Sequence, residues 1–352
     1  MHSTKAKIKL KSPKESKTQT ENSIVSFFKK ILNLEDPSDK PELIFPSSSP
    51  SPLSLSLKDP PHSNLLQQNS SFPNSTPFTS QEWQEHFSNR LPSQLNQNRL
   101  LIFLKTGIPP SLRAKIWIYL SGSFESYKQN KQQSTYQELL LSTNPTAEEQ
   151  INKDLHRTFL NESRNKLIKL ENTNKLFNVL KAYAVYDKEV GYCQGTNTIV
   201  ATLLHCINKE ELCFWTFCNL MQKNCWRDFF IANTPKLFRM INILQTNIKQ
   251  QLRDLYAYFQ KVNLDEYLGI MITHYFLTLF TYECPLELSL RIIDLFWVYE
   301  EKVIFDIVVV LLKSKQEKLM TMDKEDIMVY LKKNLVFDVI KEKGIDFIMN
   351  SI

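Results

Sequence analysis

One short segment, Gly191-Tyr192-Cys193-Gln194-Gly195, constrains this chain more than any other. Glycine occurs only six times in the 352 residues, yet two of the six lie in this pentapeptide. Glycine tolerates backbone angles and close approaches that a Cβ atom forbids. Apolar residues recur at helical spacing from Leu176 to Tyr186 before the segment and from Ile199 to Cys206 after it. The pattern predicts a break between two helices, at which Gln194 is presented rather than packed.

Composition and charge argue against a nucleic-acid partner. The hydrophobic content of 42% is sufficient for a core, and the net charge is +6. Residues 1–80 hold ten lysines and seven acidic residues, a net charge of +3, and the remainder of the chain also carries +3. Nucleic-acid-binding domains usually show a clustered basic stripe. This thin and even excess therefore predicts no nucleic-acid partner.

The six cysteines contain no CxxC pair. Cys206 and Cys213, and again Cys218 and Cys225, are seven residues apart. On a helix this spacing places each pair on one face, where free cysteine acts as a small hydrophobic residue. His205 raises the alternative of a metal site, but the ligand spacing fits no zinc template. The sequence therefore predicts core cysteines, no metal and a reducing, cytoplasmic compartment.

Residues 1–80 are predicted to be a largely disordered tail. The tail begins with lysines and continues with a stretch rich in Ser, Pro, Asn and Gln, which cannot bury enough apolar surface to offset the entropy of ordering. No apolar run reaches the roughly 18–20 residues that a membrane span needs, and no signal-peptide core is present. A short amphipathic segment near residues 24–34 leaves two alternatives: a transient helix without a role, or peripheral contact with a partner or an anionic membrane.

From residue 81 to residue 352 the pattern becomes globular and helical, so the predicted fold class is all-α. Leu237 to Phe259 is predicted to be one long helix, and Val303 to Lys313 fits a helix better than a strand. Ser121 to Pro145 is predicted to be a surface connection with one short helix near Tyr136. Arg113 and Trp117 stand four residues apart, so the guanidinium can lie over the indole as part of the scaffold.

The residues that could carry chemistry also fit two other interpretations, an exposed ion pair and a cysteine-protease site. Asp154 and Arg157 have the three-residue spacing of an ordinary exposed ion pair on a helix. The pentapeptide resembles the Gln-Ala-Cys-Gln-Gly signature of caspases, with Cys193 as nucleophile. Position 191 lacks the glutamine, His156 lies closer than the roughly 50 residues of that family, and the surrounding pattern is helical. Cysteine-protease chemistry is therefore disfavoured.

Several motifs follow one another along the chain. Their order is Gly107-Ile108-Pro109 with Arg113 and Trp117, Ile151-x-x-Asp154-x-x-Arg157, Gly191-Tyr192-Cys193-Gln194-Gly195, Tyr275 to Phe280, and Arg291 to Asp294. Together these motifs closely resemble the TBC domain, the GTPase-activating domain for Rab GTPases, over about residues 100–315. The motifs IxxDxxR and YxQ are the working parts of that family, and both are intact in this chain.

The resemblance implies a multi-helical domain that supplies two side chains in trans to a Rab-type GTPase in its GTP-bound form. Arg157 would be the arginine finger and Gln194 the glutamine finger. The residues implied to support these two or to contact the partner are Ile151, Asp154, Gly191, Tyr192 and Gly195, and those implied to be structural are Arg113, Trp117 and Asp294.

The same resemblance implies that GTP and Mg²⁺ arrive with the partner, so the chain would need no cofactor of its own. It would act as a GTPase activator, with no stand-alone enzymatic reaction. The implied setting is the regulation of vesicle trafficking by a cytoplasmic protein, and peripheral contact with endomembranes through the N-terminal tail stays an open alternative.

The chain departs from the family pattern at several positions. Leu160 stands where proline is common, Thr196 replaces the usual methionine, and Tyr275 replaces tryptophan. The glycine that commonly follows the last motif is absent, and Glu300 and Glu301 occupy that turn. None of these is a finger position, so an active GTPase activator is the first hypothesis. The alternative is a TBC-fold adaptor or scaffold that binds a Rab without accelerating hydrolysis.

Overall fold

The computed structural model describes residues 97–160, 171–282 and 284–352, and these ranges contain α-helices and one 3₁₀ helix but no strand. The predicted all-α fold class is confirmed. The predicted tail, including the segment near residues 24–34, lies outside the described residues and stays a prediction. Within the described part of the chain, no helix combines the length and the apolar character needed to cross a membrane.

The helices are numbered here in chain order. They are α1 Gln97–Thr106, α2 Pro110–Leu120, α3 Ser123–Lys131, α4 Thr135–Leu141, α5 Pro145–Leu160, α6 Glu171–Tyr186, α7 Thr196–Cys206, α8 Glu210–Gln222, the 3₁₀ helix Lys223–Phe229, α9 Pro235–Gln251, α10 Arg253–Lys261, α11 Asp265–Thr278, α12 Leu286–Tyr299, α13 Lys302–Ser314, α14 Gln316–Leu319, α15 Lys324–Lys333 and α16 Leu335–Ser351.

Helix α7 lies at the centre of the packing. It contacts α2, α5, α6, α8, α11 and α12, and its first nine residues are all buried although four of them are polar. Two of the buried hydroxyls find partners on the backbone: Thr198 donates to the carbonyl of Gly195 at 2.8 Å, and Thr202 donates to the carbonyl of Thr198 at 2.9 Å. Such partners make the burial of polar groups tolerable. A helix enclosed in this way fixes the position of the loop that precedes it.

A buried carboxylate joins α2 to α12. Asp294 has no exposed surface, and it accepts hydrogen bonds from Arg113 Nε at 3.1 Å, from Arg113 Nη2 at 3.2 Å and from Trp117 Nε1 at 2.7 Å. Burial raises the pKa of the Asp294 carboxyl, and these donors oppose that rise. The sequence led us to expect the guanidinium over the indole; in the structure both groups are oriented towards Asp294.

One predicted helix is broken in the structure, and one predicted connection contains more helix than expected. The long helix expected from Leu237 to Phe259 is broken at Leu252 (φ −131°, ψ 56°) into α9 and α10. Leu252 is itself buried, so the apolar stripe continues across the break and conceals it. The expected connection from Ser121 to Pro145 contains the predicted short helix near Tyr136, which is α4, and Tyr136 is buried there. It also contains a second helix, α3, that was not predicted.

The cysteine spacing also has a different origin from the predicted one. Cys206 ends α7 while Cys213 lies in α8, and Cys218 lies in α8 while Cys225 lies in the 3₁₀ helix. Neither pair therefore shares one helix face. Cys213 and Cys218 are buried, and burial raises the pKa of both thiols. The core prediction is right for these two and wrong for Cys225, which is exposed.

The last helix closes one side of the domain. Helix α16 packs against α1, α12, α13 and α15, and it buries Leu335, Val339 and Ile348. An ion pair adds to this contact, because Arg291 Nη1 on α12 donates to Asp346 Oδ1 at 3.1 Å. Helices from both ends of the described chain therefore complete the same core.

In the turn between α12 and α13, Glu300 stands where the family commonly has a glycine. Glu300 takes φ 55° and ψ −141°, a conformation that L-residues with a Cβ rarely adopt and that glycine adopts freely. The Glu300 carboxylate lies 3.5 Å from Lys223 Nζ, but both side chains are partly exposed, so this ion pair is weak. The departure from the family pattern therefore leaves local strain.

We expect Glu300→Gly to raise the free energy of unfolding by about 1 kcal/mol. The relief of roughly 1–3 kcal/mol of backbone strain exceeds the entropic cost of a glycine, about 0.5–1 kcal/mol. Urea denaturation would measure the change. Glu300→Ala is the control, because it removes the carboxylate but keeps the Cβ, and an equal gain in both variants would refute backbone strain as the cause.

We expect Arg113→Ala to lower the free energy of unfolding by about 3–5 kcal/mol, because it leaves the Asp294 carboxylate buried without its cation. The double variant Arg113→Met with Asp294→Leu removes both charges and should recover most of that loss. Guanidinium denaturation of the two variants and the wild type checks the prediction. A double variant as unstable as Arg113→Ala would show that packing, not charge, dominates this contact.

Candidate functional site

Helix α5 carries the first candidate finger. Ile151 is fully buried and Leu155 is 6% exposed, so the helix presents an apolar face to α6 and α7, against which it packs. The Asn144 side chain accepts a hydrogen bond from the Ala147 N–H at 3.2 Å and so caps the start of the helix. Arg157 lies in the last turn of α5, and its side chain is outside the described residues.

The second candidate finger lies in the loop between α6 and α7. As predicted, the chain breaks there: α6 ends at Tyr186 and α7 begins at Thr196. Gly191 and Gly195 have φ values of 62° and 102°, which favour glycine. A Cβ atom on Gly191 would meet no atom within 4 Å, so the backbone angle, not space, requires glycine there. Gln194, between these two turns, is half-buried.

Hydrogen bonds on either side of Gln194 fix its backbone. The carbonyl of Cys193 accepts from the N–H of Thr196 at 3.2 Å and from the Thr196 hydroxyl at 2.6 Å. The N–H of Gly195 donates to Asn197 Oδ1 at 2.9 Å. Thr196, which replaces the usual methionine of the family, therefore closes the turn that carries Gln194.

One hydrogen bond joins the loop to α5. The Tyr192 hydroxyl donates to Asp154 Oδ2 at 2.8 Å, and Asp154 is only 8% exposed. Burial and the nearby Asp154 charge raise the pKa of Tyr192, so its hydroxyl remains a donor at neutral pH. Positions 154 and 157 lie on one side of α5, and Gln194 follows Tyr192 by two residues. This bond therefore brings the backbone positions of both candidate fingers to the same part of the domain.

Cys193 is not placed as a nucleophile. Burial raises the pKa of its thiol to about 12, whereas a nucleophilic cysteine reacts as the thiolate. The residue also lies in a loop between two helices. The geometry therefore gives no support to the caspase-like interpretation.

The sequence did not reveal the residues that fix the two ends of the loop. At the first end, Arg227 donates to Asp187 from a distance of 40 residues along the chain. At the second end, the hydroxyls of Thr198 and Thr281 are 2.8 Å apart although 83 positions separate them. Of these four residues, Asp187 is of the type that most favours a turn. Its carboxylate accepts from the N–H of Val190, three residues on, at 3.3 Å.

Tyr275, the third departure that the structure describes, keeps a buried and satisfied position. Its hydroxyl donates to the carbonyl of Leu331 at 3.1 Å, and its ring stacks on Phe280 with a centroid distance of 4.3 Å. The exchange of tryptophan for tyrosine therefore affects the core between α11 and α15, not the loop of Gln194. Leu160 ends α5, and its side chain is not described.

We expect Tyr192→Phe to lower the free energy of unfolding by about 1.5–3 kcal/mol, because a hydrogen bond to a carboxylate contributes about that much. Tyr258→Phe is a matched control, since the Tyr258 hydroxyl donates to a neutral acceptor, the Met322 carbonyl, at 2.7 Å. That control should lose only about 0.5–1.5 kcal/mol. Thermal and urea unfolding measure both, and an equal effect in the two variants would contradict a charged acceptor at Asp154.

Known proteins are similar to this chain in sequence and in fold. A protein named TBC1 domain family member whacked, from Drosophila melanogaster, is 35% identical over 215 residues, which are 59% of this chain and 56% of that protein. The Rab GTPase-activating protein eat-17 of Caenorhabditis elegans is 31% identical over 249 residues, 68% of this chain and 26% of its own length. The chain thus spans well under two thirds of the length of these relatives.

Among solved structures, the Chlamydomonas flagellar RabGAP TBC domain superposes with a TM-score of 0.64, at 24% identity, over 76% of this chain and 88% of that one. This likeness extends the shared architecture beyond the segment that sequence alone matches. The family model described as the Rab-GTPase-TBC domain matches residues 110–320, which is more than half of the chain. The chain is a member of the Rab-GTPase-TBC domain family.

Proposed function

We propose that this chain is a GTPase-activating protein for a Rab-type GTPase, to which it supplies Arg157 and Gln194 in trans. The partner would arrive in its GTP-bound form and would bring both GTP and Mg²⁺. The chain would carry out no reaction alone. Its setting would be the regulation of vesicle trafficking, in the cytoplasm or on the cytoplasmic surface of endomembranes.

The residue types suit the chemistry of phosphoryl transfer. Negative charge spreads over the transferred group in the transition state, and catalysis consists mainly of positioning and electrostatic stabilisation. The guanidinium of Arg157 is always charged and planar and offers several donors to such an anion. The amide of Gln194 has an acceptor and a donor group, so it can orient the attacking water while it contacts the phosphate.

The hydrogen bond between Tyr192 and Asp154 is the observation that best supports this proposal. It joins the helix of Arg157 to the loop of Gln194 at 2.8 Å, so the two segments hold a fixed separation. Preorganised groups need no reorganisation when charge develops in the transition state. Two loosely tethered side chains could not act together on one phosphoryl group.

We expect single-turnover GTP hydrolysis by one member of a Rab panel to accelerate with the wild type and to lose most of that acceleration with Arg157→Ala. Arginine fingers contribute about 10³–10⁵ in rate, or roughly 4–7 kcal/mol of barrier. Arg157→Lys should recover little, because lysine keeps the charge but lacks the planar fork. Gln194→Ala should also lose most of the acceleration, because the attacking water is then unoriented.

Two exposed positions provide matched controls for this assay. Arg253 and Gln250 lie on the surface, far from the loop in sequence, and Arg253→Ala and Gln250→Ala should behave as wild type. Binding of each variant to the GTPase is measured in parallel with hydrolysis. Binding without acceleration of any Rab would replace the proposal with the adaptor function, and loss in only one finger variant would mean that the partner supplies the other group.

A further inference from the structure

The first end of the Gln194 loop is organised by one carboxylate. Asp187 directly follows α6, and its backbone carbonyl accepts from the N–H of Gly191 at 2.8 Å. Its carboxylate accepts from the N–H of Val190 at 3.3 Å and from the hydroxyl of Tyr183 at 3.2 Å. Asp187 therefore contacts both the helix before the loop and the glycine turn that begins the YxQ segment.

A guanidinium from a distant part of the chain holds this carboxylate. Arg227, in the 3₁₀ helix, donates from Nε to Asp187 Oδ2 at 2.8 Å and from Nη2 to Asp187 Oδ1 at 2.9 Å. Nη2 also donates to Glu189 Oε2 at 2.8 Å. Two parallel charge-assisted bonds fix a carboxylate in direction as well as in distance. The third bond attaches a second residue of the same loop.

The two acidic partners differ in exposure. The side chain of Asp187 is 10% exposed and that of Arg227 is 21% exposed, whereas that of Glu189 is 62% exposed. Burial raises the pKa of the Asp187 carboxyl, but the hydrogen bonds from Arg227, Val190 and Tyr183 outweigh this and leave the pKa below its usual value. Asp187 is therefore ionised at neutral pH and is the main partner of the arginine, while the pair with Glu189 is screened by solvent.

We propose that Arg227 is a positioning residue for Gln194, acting through Asp187 and the Gly191 turn; this inference rests on the proposed function of the loop. Arg227 fixes Asp187, Asp187 fixes the backbone of residues 190 and 191, and the turn at Gly191 directs Tyr192 towards Asp154. Gln194 follows in the same short segment. The arginine thus narrows the range of positions open to the glutamine amide.

The role is separable from the stability of the fold. The 3₁₀ helix that carries Arg227 is anchored by Trp226 and Phe229, both without exposed surface. The two rings pack on each other, and Trp226 also packs against Phe296 of α12. The helix would therefore keep its place without the guanidinium. Loss of Arg227 should loosen the loop while the core stays folded.

Hydrogen exchange and single-turnover kinetics of the full chain test the proposal together. In Arg227→Ala and in Asp187→Asn, amide exchange over residues 188–195 should rise about 10-fold or more, because the local opening of this loop becomes easier. The hydrolysis rate at saturating activator should fall by roughly 10-fold, with little change in the activator concentration that gives half-saturation. Arg227→Lys should restore part of both, and the double variant should lose no more than either single variant.

Two control variants distinguish the effect of the Asp187–Arg227 pair from the effect of removing any charged group on the surface. Glu189→Gln removes only the exposed partner and should shift exchange and rate by less than about twofold, as expected of an exposed pair. Arg239→Ala removes another arginine, 3.5 Å from Glu301 and 65% exposed, and should leave both measurements unchanged. The melting temperature of every variant is recorded to show that the core is intact.

Clear results would overturn the proposal. Unchanged loop exchange in Arg227→Ala would show that the arginine does not fix the loop. A loss of rate that follows the melting temperature, with exchange rising across the whole chain, would show a structural role only. If the wild type accelerates no GTPase, the proposed function fails, and the exchange measurement still decides whether Arg227 holds the loop.

Discussion

The burial of α7 on all sides is the constraint on which the rest of the domain depends. Six helices surround it, so neither its direction nor its register can change without disturbing the core. Its polar first turn is acceptable only because hydroxyls such as Thr198 find partners. The start of α7 at Thr196 is therefore fixed, and only Gly195 separates Gln194 from it. A side chain on an ordinary surface loop would lack this support.

The loop of Gln194 is held by three attachments of different character. A pair of hydroxyls, Thr198 and Thr281, fixes its second end inside the core, and a neutral donor, Tyr192, meets a largely buried carboxylate in its middle. At its first end, a partly buried ion pair with Arg227 holds Asp187. The attachment near α6 is the one of these three that joins two charged side chains, so a change in ionic strength has most effect there.

The sequence allowed the all-α class and the helix break at Gln194 to be predicted, because glycine spacing and apolar periodicity are local properties. The break at Leu252 could not be predicted, since an apolar residue at that position keeps the stripe continuous. The short helix α4 could be predicted near Tyr136, whereas α3 was missed because its sequence, Ser123–Lys131, is mostly polar. The partnership of Arg227 with Asp187 depends on the tertiary path of the chain between two residues that are 40 positions apart.

The packing of α16 on α1 has a consequence for how domains of this family can be exchanged. The segment shared with the family ends at residue 320 and begins at residue 110, but α1 lies before it and α15 and α16 lie after it. Leu104 and Val339, in these outer helices, are fully buried. A chimera that moved only the shared segment would leave apolar surface of α12 and α13 open to solvent. The unit that can be transplanted with its core intact therefore extends at least from α1 to α16.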